Sequence, residues 1–299
     1  MQTLAQIRRM LEESGLSPRR QFGQNFLYDQ NLLARMVDLA ELSGEQTVLE
    51  VGPGTGSLTE ELLARAGKVV AAEIDRGLCR LLQQRLAGRP NFVLVCGDVL
   101  SGKHALAEPV LRELSPRAQL VSNLPYNIAT PLIAQCLISS WHALTGRGDG
   151  PHCRFDRMVF TVQHEVAQRL GAQPGGGQYG PVSILTALLG RIRFGPAVPA
   201  TSFWPQPKVN SRVVRIDLDV EGAGGVLDVE HLTAAVSLAF GQRRKQLGSI
   251  LRRRGGAFPA EMLAAAFKAA GIDPALRAEQ IPPEQFLVFA NALSKALGK

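Results

Sequence analysis

The sequence predicts an α/β protein built on a doubly wound, largely parallel sheet, with a smaller all-helical domain at its C-terminal end. Between Thr47 and about Asp219, short β-branched runs alternate with stretches of helical periodicity, the pattern of strands joined by crossover helices. The first of those runs passes straight into a glycine-rich turn that opens a helix. Beyond Gly225 the pattern turns helical, with no convincing strand.

The expected parallel strands are Val48 to Val51, Val69 to Ile74, Phe92 to Val95, Leu120 to Ser122 and Met158 to Val162, each short and apolar as buried strands are. Arg191 to Phe194 and Arg212 to Leu218 finish the sheet, the second alternating Val213, Arg215 and Asp217 against Val214, Ile216 and Leu218; an antiparallel hairpin is one way to place them. Glu221 to Gly225 reads as a flexible glycine-rich break and marks the domain boundary. Thr145 to Arg157 and Gly171 to Gly180 read as surface connections.

A chain of 299 residues that is 45% apolar can bury a substantial core. It holds neither an apolar run long enough to span a bilayer nor a basic-then-apolar leader, so a soluble, cytoplasmic protein is expected. Cys79, Cys96, Cys136 and Cys153 are widely spaced, form no C-x-x-C pair and read as reduced core thiols. The net charge of +7 favours a polyanionic partner, nucleic acid or an anionic membrane surface. His164-Glu165 is no zinc motif, because Gln168 stands where H-E-x-x-H needs its second histidine; no metal site is expected.

The turn after the first strand is Gly52-Pro53-Gly54-Thr55-Gly56, led by Glu50. Glycines permit backbone angles and close approaches that a Cβ forbids. A dinucleotide fingerprint would want glycine at position 57, where Ser57 stands; the E-x-G-x-G-x-G form suits S-adenosylmethionine, which has no pyrophosphate to cradle. The second strand ends in Glu73-Ile74-Asp75 and the third in Gly97-Asp98. Glu73 can accept from both ribose hydroxyls and Asp98 from the adenine amine of the cofactor. The alternative is that Glu73 and Asp98 cap the helices that follow.

The fourth strand ends in Asn123-Leu124-Pro125-Tyr126, at the carboxyl edge where open α/β sheets bind ligands. The lone pair of an adenine N6 is delocalised into the ring. It attacks a sulfonium methyl only when acceptors hold its hydrogens, and the Asn123 side-chain oxygen supplies one such acceptor. Pro125 keeps Leu124 extended, leaving the Leu124 carbonyl as the second. Tyr126 offers an aromatic face to an extruded base, and Phe203, in a proline-stiffened loop, offers another; Phe203 and Trp204 can instead anchor that loop to the core.

These motifs, together with Gln24-Asn25-Phe26-Leu27, Phe203-x-Pro-x-Pro-Lys208-Val209, Gln242-Arg243-Arg244-Lys245 and Arg277-Ala278-Glu279, resemble the ribosomal RNA adenine dimethyltransferases of the KsgA/RsmA type through nearly the whole chain. The resemblance implies a Rossmann-like class I methyltransferase sheet, with residues 1–224 forming an S-adenosylmethionine-binding domain with an N-terminal arm and 225–299 a helical RNA-binding domain. It implies cofactor contacts from Asn25, Leu27, Gly52, Gly54, Glu73, Asp98 and Asn123. It further implies dimethylation of two adjacent adenines in a hairpin near the 3′ end of 16S RNA, by a monomer acting on a partly assembled 30S subunit. Relatives of this family include methylases of large-subunit RNA and non-catalytic factors; the latter would show a degraded cofactor pocket.

Arg243, Arg244, Lys245, Arg252, Arg253 and Arg254 gather six positive charges without an acidic residue between Gly241 and Gly256. Leu247, Ile250 and Leu251 add an apolar stripe, so the segment reads as a helix with a basic face for phosphates. Arg19 and Arg20 extend the positive field toward the arm.

Overall fold

The computed structural model describes residues 2–102, 105–251 and 258–298. The side chains of Arg20 and Ile250 are outside what it describes, as are Arg252, Arg253 and Arg254 entirely, so three of the six expected basic contacts lie beyond the described residues. By compactness the chain divides into two units, 1–167 with 193–217, and 168–192 with 218–299.

The first unit is organised by a seven-stranded sheet: β1 (Thr47–Val51), β2 (Lys68–Glu73), β3 (Phe92–Cys96), β4 (Arg117–Asn123), β5 (Arg154–Gln163), β6 (Gly190–Val198), which begins in the second unit, and β7 (Ser211–Leu218). Their order is β3-β2-β1-β4-β5-β7-β6. The pairs β1–β2, β2–β3, β1–β4 and β4–β5 are parallel, and β7 runs antiparallel to β5. Strand order reverses between β1 and β4, which opens a crevice at their carboxyl ends.

β4 and β5 start well ahead of their sequence expectation. β4 begins at Arg117 and β5 at Arg154 because the charged residues there are paired: Asp156 takes both Arg117 and Arg154, and Arg157 meets its register partner Asp217 at 2.7 Å. Such pairs, two of them across strands and one within β5, let a polar stretch lie in a sheet, and hydrophobic pattern alone does not show them.

Helices α1 (Leu4–Glu13), α2 (Gln30–Ala40), α3 (Ser57–Arg65), α4 (Arg76–Leu86), α5 (Glu108–Glu113) and α6 (Ala129–Thr145) belong to this unit. Side-chain oxygens start three of them: Thr3 and Gln6 form a capping box on α1, Asp29 caps α2, and Asp75 caps α4 through Gly77 N–H. One face of the sheet, through Val48, Val69, Val121, Val159 and Val213, packs against Leu33, Met36, Val37, Leu62 and Leu82. α6 packs on β5. Arg215, buried within this unit, is satisfied by Asp217, Glu41 and the Leu39 carbonyl, as a desolvated charge requires.

The second unit is helical: α7 (His164–Leu170) leads into it, followed by α8 (Pro181–Leu189), α9 (Val220–Gly224), α10 (Val229–Phe240), α11 (Gly248–Leu251), α12 (Ala260–Ala269) and α13 (Pro283–Ala296). α8, α10 and α12 each pack on α13, with Phe267 and Phe289 at 4.8 Å between ring centroids. This division differs from the boundary read at residues 224 and 225. Residues 168–192 join the second unit because Tyr179 is buried there, donating to the Ile281 carbonyl at 2.8 Å and meeting Phe240 edge-on.

Three further expectations are corrected. Glu221 to Gly225 is not a free break but the short helix α9, capped by Asp219, with Gly222 so close to the Leu188 carbonyl that a Cβ would fall 2.6 Å from it. Residues 241–247 form turns around a bridge at Gln246, and among the described residues of the basic segment only Gly248–Leu251 is helical, so Arg243, Arg244 and Lys245 do not share a helix face. Cys79, Cys136 and Cys153 are buried free thiols, but Cys96 is exposed at the end of β3. No helix among the described residues is long and apolar enough to cross a membrane. His164 and Glu165 are exposed at the start of α7.

Candidate active site

A cavity of about 300 Å³ lies in the crevice at the β1–β4 switch and is lined by the arm (21–27), the glycine turn, the ends of β2 and β3, and Asn123 to Ile128. It is the size of a small-ligand site. The sequence-predicted residues Asn25, Leu27, Gly52, Gly54, Glu73, Asp98, Asn123, Leu124, Pro125 and Tyr126 all line it; Phe203 does not.

The glycine turn is shaped by its protein neighbours. Gly52, Gly54 and Gly56 all have positive φ. A Cβ at Gly52 would stand 3.0 Å from Pro125 Cγ, and one at Gly54 would stand 2.9 Å from the Phe26 ring. Without side chains, the turn admits both the arm and the Asn-Leu-Pro-Tyr loop into van der Waals contact.

Glu73 accepts from the Asp75 amide at 2.9 Å and from the Gly54 amide at 3.3 Å. Helix capping falls to Asp75 instead, which leaves Glu73 at the cavity wall. Burial pushes the Glu73 carboxyl up to about 7 against the backbone donors of Asp75, Gly54 and Ile74, which lower it. Glu50, fully enclosed beneath the turn, is pushed up to about 8 by burial, with the nearby Glu73 adding to the shift. Its Oε2 has no hydrogen-bond partner among the described residues. Asp98 is exposed; it caps no helix but accepts from the Leu100 amide at 3.0 Å.

Asn123 closes β4. Its Nδ2 donates to the Asn25 carbonyl at 3.0 Å, and its Oδ1 accepts from the Thr161 hydroxyl. The Tyr126 hydroxyl shares a 2.7 Å hydrogen bond with Ser211 on β7, and burial raises the phenol above its ordinary range. Phe203 pairs with Leu27 in a two-residue antiparallel ladder and is sunk in the main core cluster, so of the two readings of this ring the structure supports the loop anchor. Trp204 pairs with Phe26 in the same ladder and lies under Arg8.

The arm is tied down at points that residue types alone did not reveal. Gln24 donates to Asp75 at 3.1 Å and accepts from the Arg19 amide. Gln2, buried ahead of α1, donates to the Thr55 carbonyl at 2.9 Å and accepts from the Thr55 hydroxyl at 2.7 Å. The capping box at Thr3 was the available signal that the chain is ordered so near its start.

In the second unit, Arg243 is engaged: it pairs with Glu279 at 2.8 Å and donates to the Gly177 carbonyl at 2.7 Å. The Arg277-Ala278-Glu279 motif thus serves in part to hold Gln242-Arg243-Arg244-Lys245 in place. No group of three or more metal-ligating side chains occurs among the described residues.

The residues present fit S-adenosylmethionine: a cradle that Cβ atoms would fill, strand-end carboxylates at the cavity, and a buried carboxyl oxygen without a partner. Fold and site together define a Rossmann-like, S-adenosylmethionine-dependent methyltransferase. A family model described as ribosomal RNA adenine dimethylase matches residues 15–295, and the chain belongs to that family. It is 41% identical to a ribosomal RNA small subunit methyltransferase A of Magnetococcus marinus, covering 97% of both chains. Its identity to the like-named protein of Moorella thermoacetica is 38%, over 97% of this chain and 96% of that one.

Among solved structures it resembles the 23S rRNA methyltransferase ErmE, at 29% identity and a TM-score of 0.60 over 90% of this chain and all of that one. A dimethyladenosine transferase from Plasmodium falciparum shares the fold, with a TM-score of 0.68 at 22% identity over 90% of this chain and 98% of that one.

Proposed function

We propose that this protein dimethylates the N6 amine of two adjacent adenines in a hairpin near the 3′ end of small-subunit ribosomal RNA, within a partly assembled subunit. The observation that carries the chemistry is Asn123 at the cavity, its amide nitrogen committed to the Asn25 carbonyl, which leaves the amide oxygen to accept. Near-full-length identity of 37–41% to small-subunit methyltransferases, against 29% to ErmE, favours that RNA over the large subunit. A cytoplasmic monomer is the setting the family resemblance suggests.

When bound, S-adenosylmethionine supplies a methyl group already activated by its sulfonium. Glu73 would accept from its ribose hydroxyls and Asp98 from its adenine amine. Asn123 Oδ1 and the Leu124 carbonyl accept from the target amine and favour a tetrahedral nitrogen, while the Tyr126 ring, tethered through Ser211, stacks on the extruded base. Orientation at the crevice is the protein's main contribution to rate. Arg244 and Lys245 contribute phosphate contacts on the second unit.

The test is to incubate the protein with S-adenosylmethionine and small subunits lacking adenine dimethylation, with large subunits alongside, and to digest the RNA for mass spectrometry. Dimethyladenosine in small-subunit RNA alone is expected. Product only in large-subunit RNA, or none despite cofactor binding, would sink the proposal.

A further inference from the structure

The Asn123 amide is held at both ends, and the two partners are not equivalent. The Asn25 carbonyl, 3.0 Å from Nδ2, has no proton to give, so the amide nitrogen must face it. With the nitrogen fixed there, Oδ1 faces Thr161, and the Thr161 hydroxyl must be the donor. Thr161 is the register partner of Asn123 across the parallel β4–β5 pair and is fully buried. Its neighbours Met158, Val159, Phe160 and Val162 are buried and apolar. A hydroxyl in such a strand needs a partner, and among the described residues the one it has is the acceptor oxygen of the site.

We infer that Thr161 is a positioning residue for methyl transfer, its hydroxyl holding the Asn123 amide so that the second lone pair of Oδ1 faces the target amine. An amide oxygen accepts two hydrogen bonds, so Thr161 takes one position and leaves the other for substrate. Without the hydroxyl, the amide is restrained only through Nδ2 and swings about its terminal torsion, which is broad for an asparagine. Each departure weakens the bond to the target amine. A full flip turns an NH2 toward that amine and sets donor against donor. The identity of the target rests on the proposed function; the restraint on Asn123 does not.

The test compares Thr161→Val, which keeps the branched shape and removes the hydroxyl, with Thr161→Ser, which keeps the hydroxyl. Product formed by the unmodified protein on undermethylated small subunits checks the proposed function separately and sets the baseline. Against it, T161V is expected to lose roughly 10- to 100-fold in kcat, the range that misplacement of a reacting group produces. Its calorimetric Kd for S-adenosylmethionine and its KM for the subunit should stay within about twofold, the pattern of an interaction made in the transition state. T161S is expected to stay within about threefold of the unmodified kcat. A kcat for T161V within about twofold of the unmodified protein overturns the inference. An equal loss in both variants, or a T161V defect that appears in cofactor affinity, overturns it as well.

Discussion

Glu73 Oε2 lies 3.3 Å from the amide nitrogen of Gly54. The carboxylate that ends β2 and the glycine turn that follows β1 are therefore one hydrogen-bonded unit, and the ionisation of Glu73 bears on both.

Cofactor affinity should follow that ionisation. Ribose hydroxyls donate best to a carboxylate, and the free protein holds the Glu73 proton up to about 7. Affinity is expected to rise as pH increases from 6 to 8, with proton release on binding; calorimetry in buffers of differing ionisation enthalpy measures both. Glu73→Ala should weaken binding on the order of 10- to 100-fold, the worth of hydrogen bonds to a charged group. A pH-independent affinity with no proton release would refute the role.

The same shift has a stability consequence of opposite direction. The unfolded chain releases this proton near 4.5, the folded protein near 7, so the native state binds more protons between those values and stability falls as pH rises through that window. Glu50, raised from 4.5 to about 8, adds a loss of the same sign over a window that starts at the same pH and extends further. Thermal melts of cofactor-free protein should show Tm declining from pH 5 to 8, and the double substitution Glu50→Gln with Glu73→Gln should flatten the decline.

Gly54→Ala is expected to damage both fold and binding. The new Cβ meets the Phe26 ring at 2.9 Å, at a φ of +63°. The cost should exceed about 1 kcal/mol, read as a lower denaturation midpoint, and displacement of Phe26 should weaken cofactor binding. An alanine variant with unchanged midpoint and affinity would show that the turn does not need to admit the arm.

Substitutions in the basic segment should separate by role. Arg244→Ala with Lys245→Ala is expected to lower RNA affinity and to reduce the salt dependence of binding by about one unit of slope per lost phosphate contact, with no change in Tm. Arg243→Ala should in addition destabilise the second unit, because it removes the ion pair to the half-buried Glu279 and the tie to the Gly177 carbonyl. Filter binding across a salt series, paired with thermal melts, distinguishes the two.

Most of the site was legible in the sequence because its parts sit at the ends of predictable strands. Glu73, Asp98 and Asn123 each terminate or follow an apolar run, and a parallel sheet brings such ends to one edge. Phe203 was not decidable that way. Its proline-stiffened loop can present the ring to a base or anchor it to the core, and pairing with Leu27 draws it into the core. The basic segment was legible as charge but not as shape, since Gln246 bridges to Arg277 and Arg243 reaches Glu279, long-range contacts that override local helical propensity.

What the sequence by itself determined is the sheet, its glycine turn and the residues at its carboxyl edge, because strand periodicity and turn chemistry are local properties. What only the tertiary structure decided is how those residues are held: Asn25 and Thr161 on the Asn123 amide, Ser211 on Tyr126, Gln2 on Thr55, and residues 168–192 in the second unit. The Asn123 to Asn25 bond spans 98 residues and the Tyr126 to Ser211 bond 85. A hydrogen bond between groups that distant leaves no periodic trace along the chain, because its geometry exists only once the sheet has brought them together.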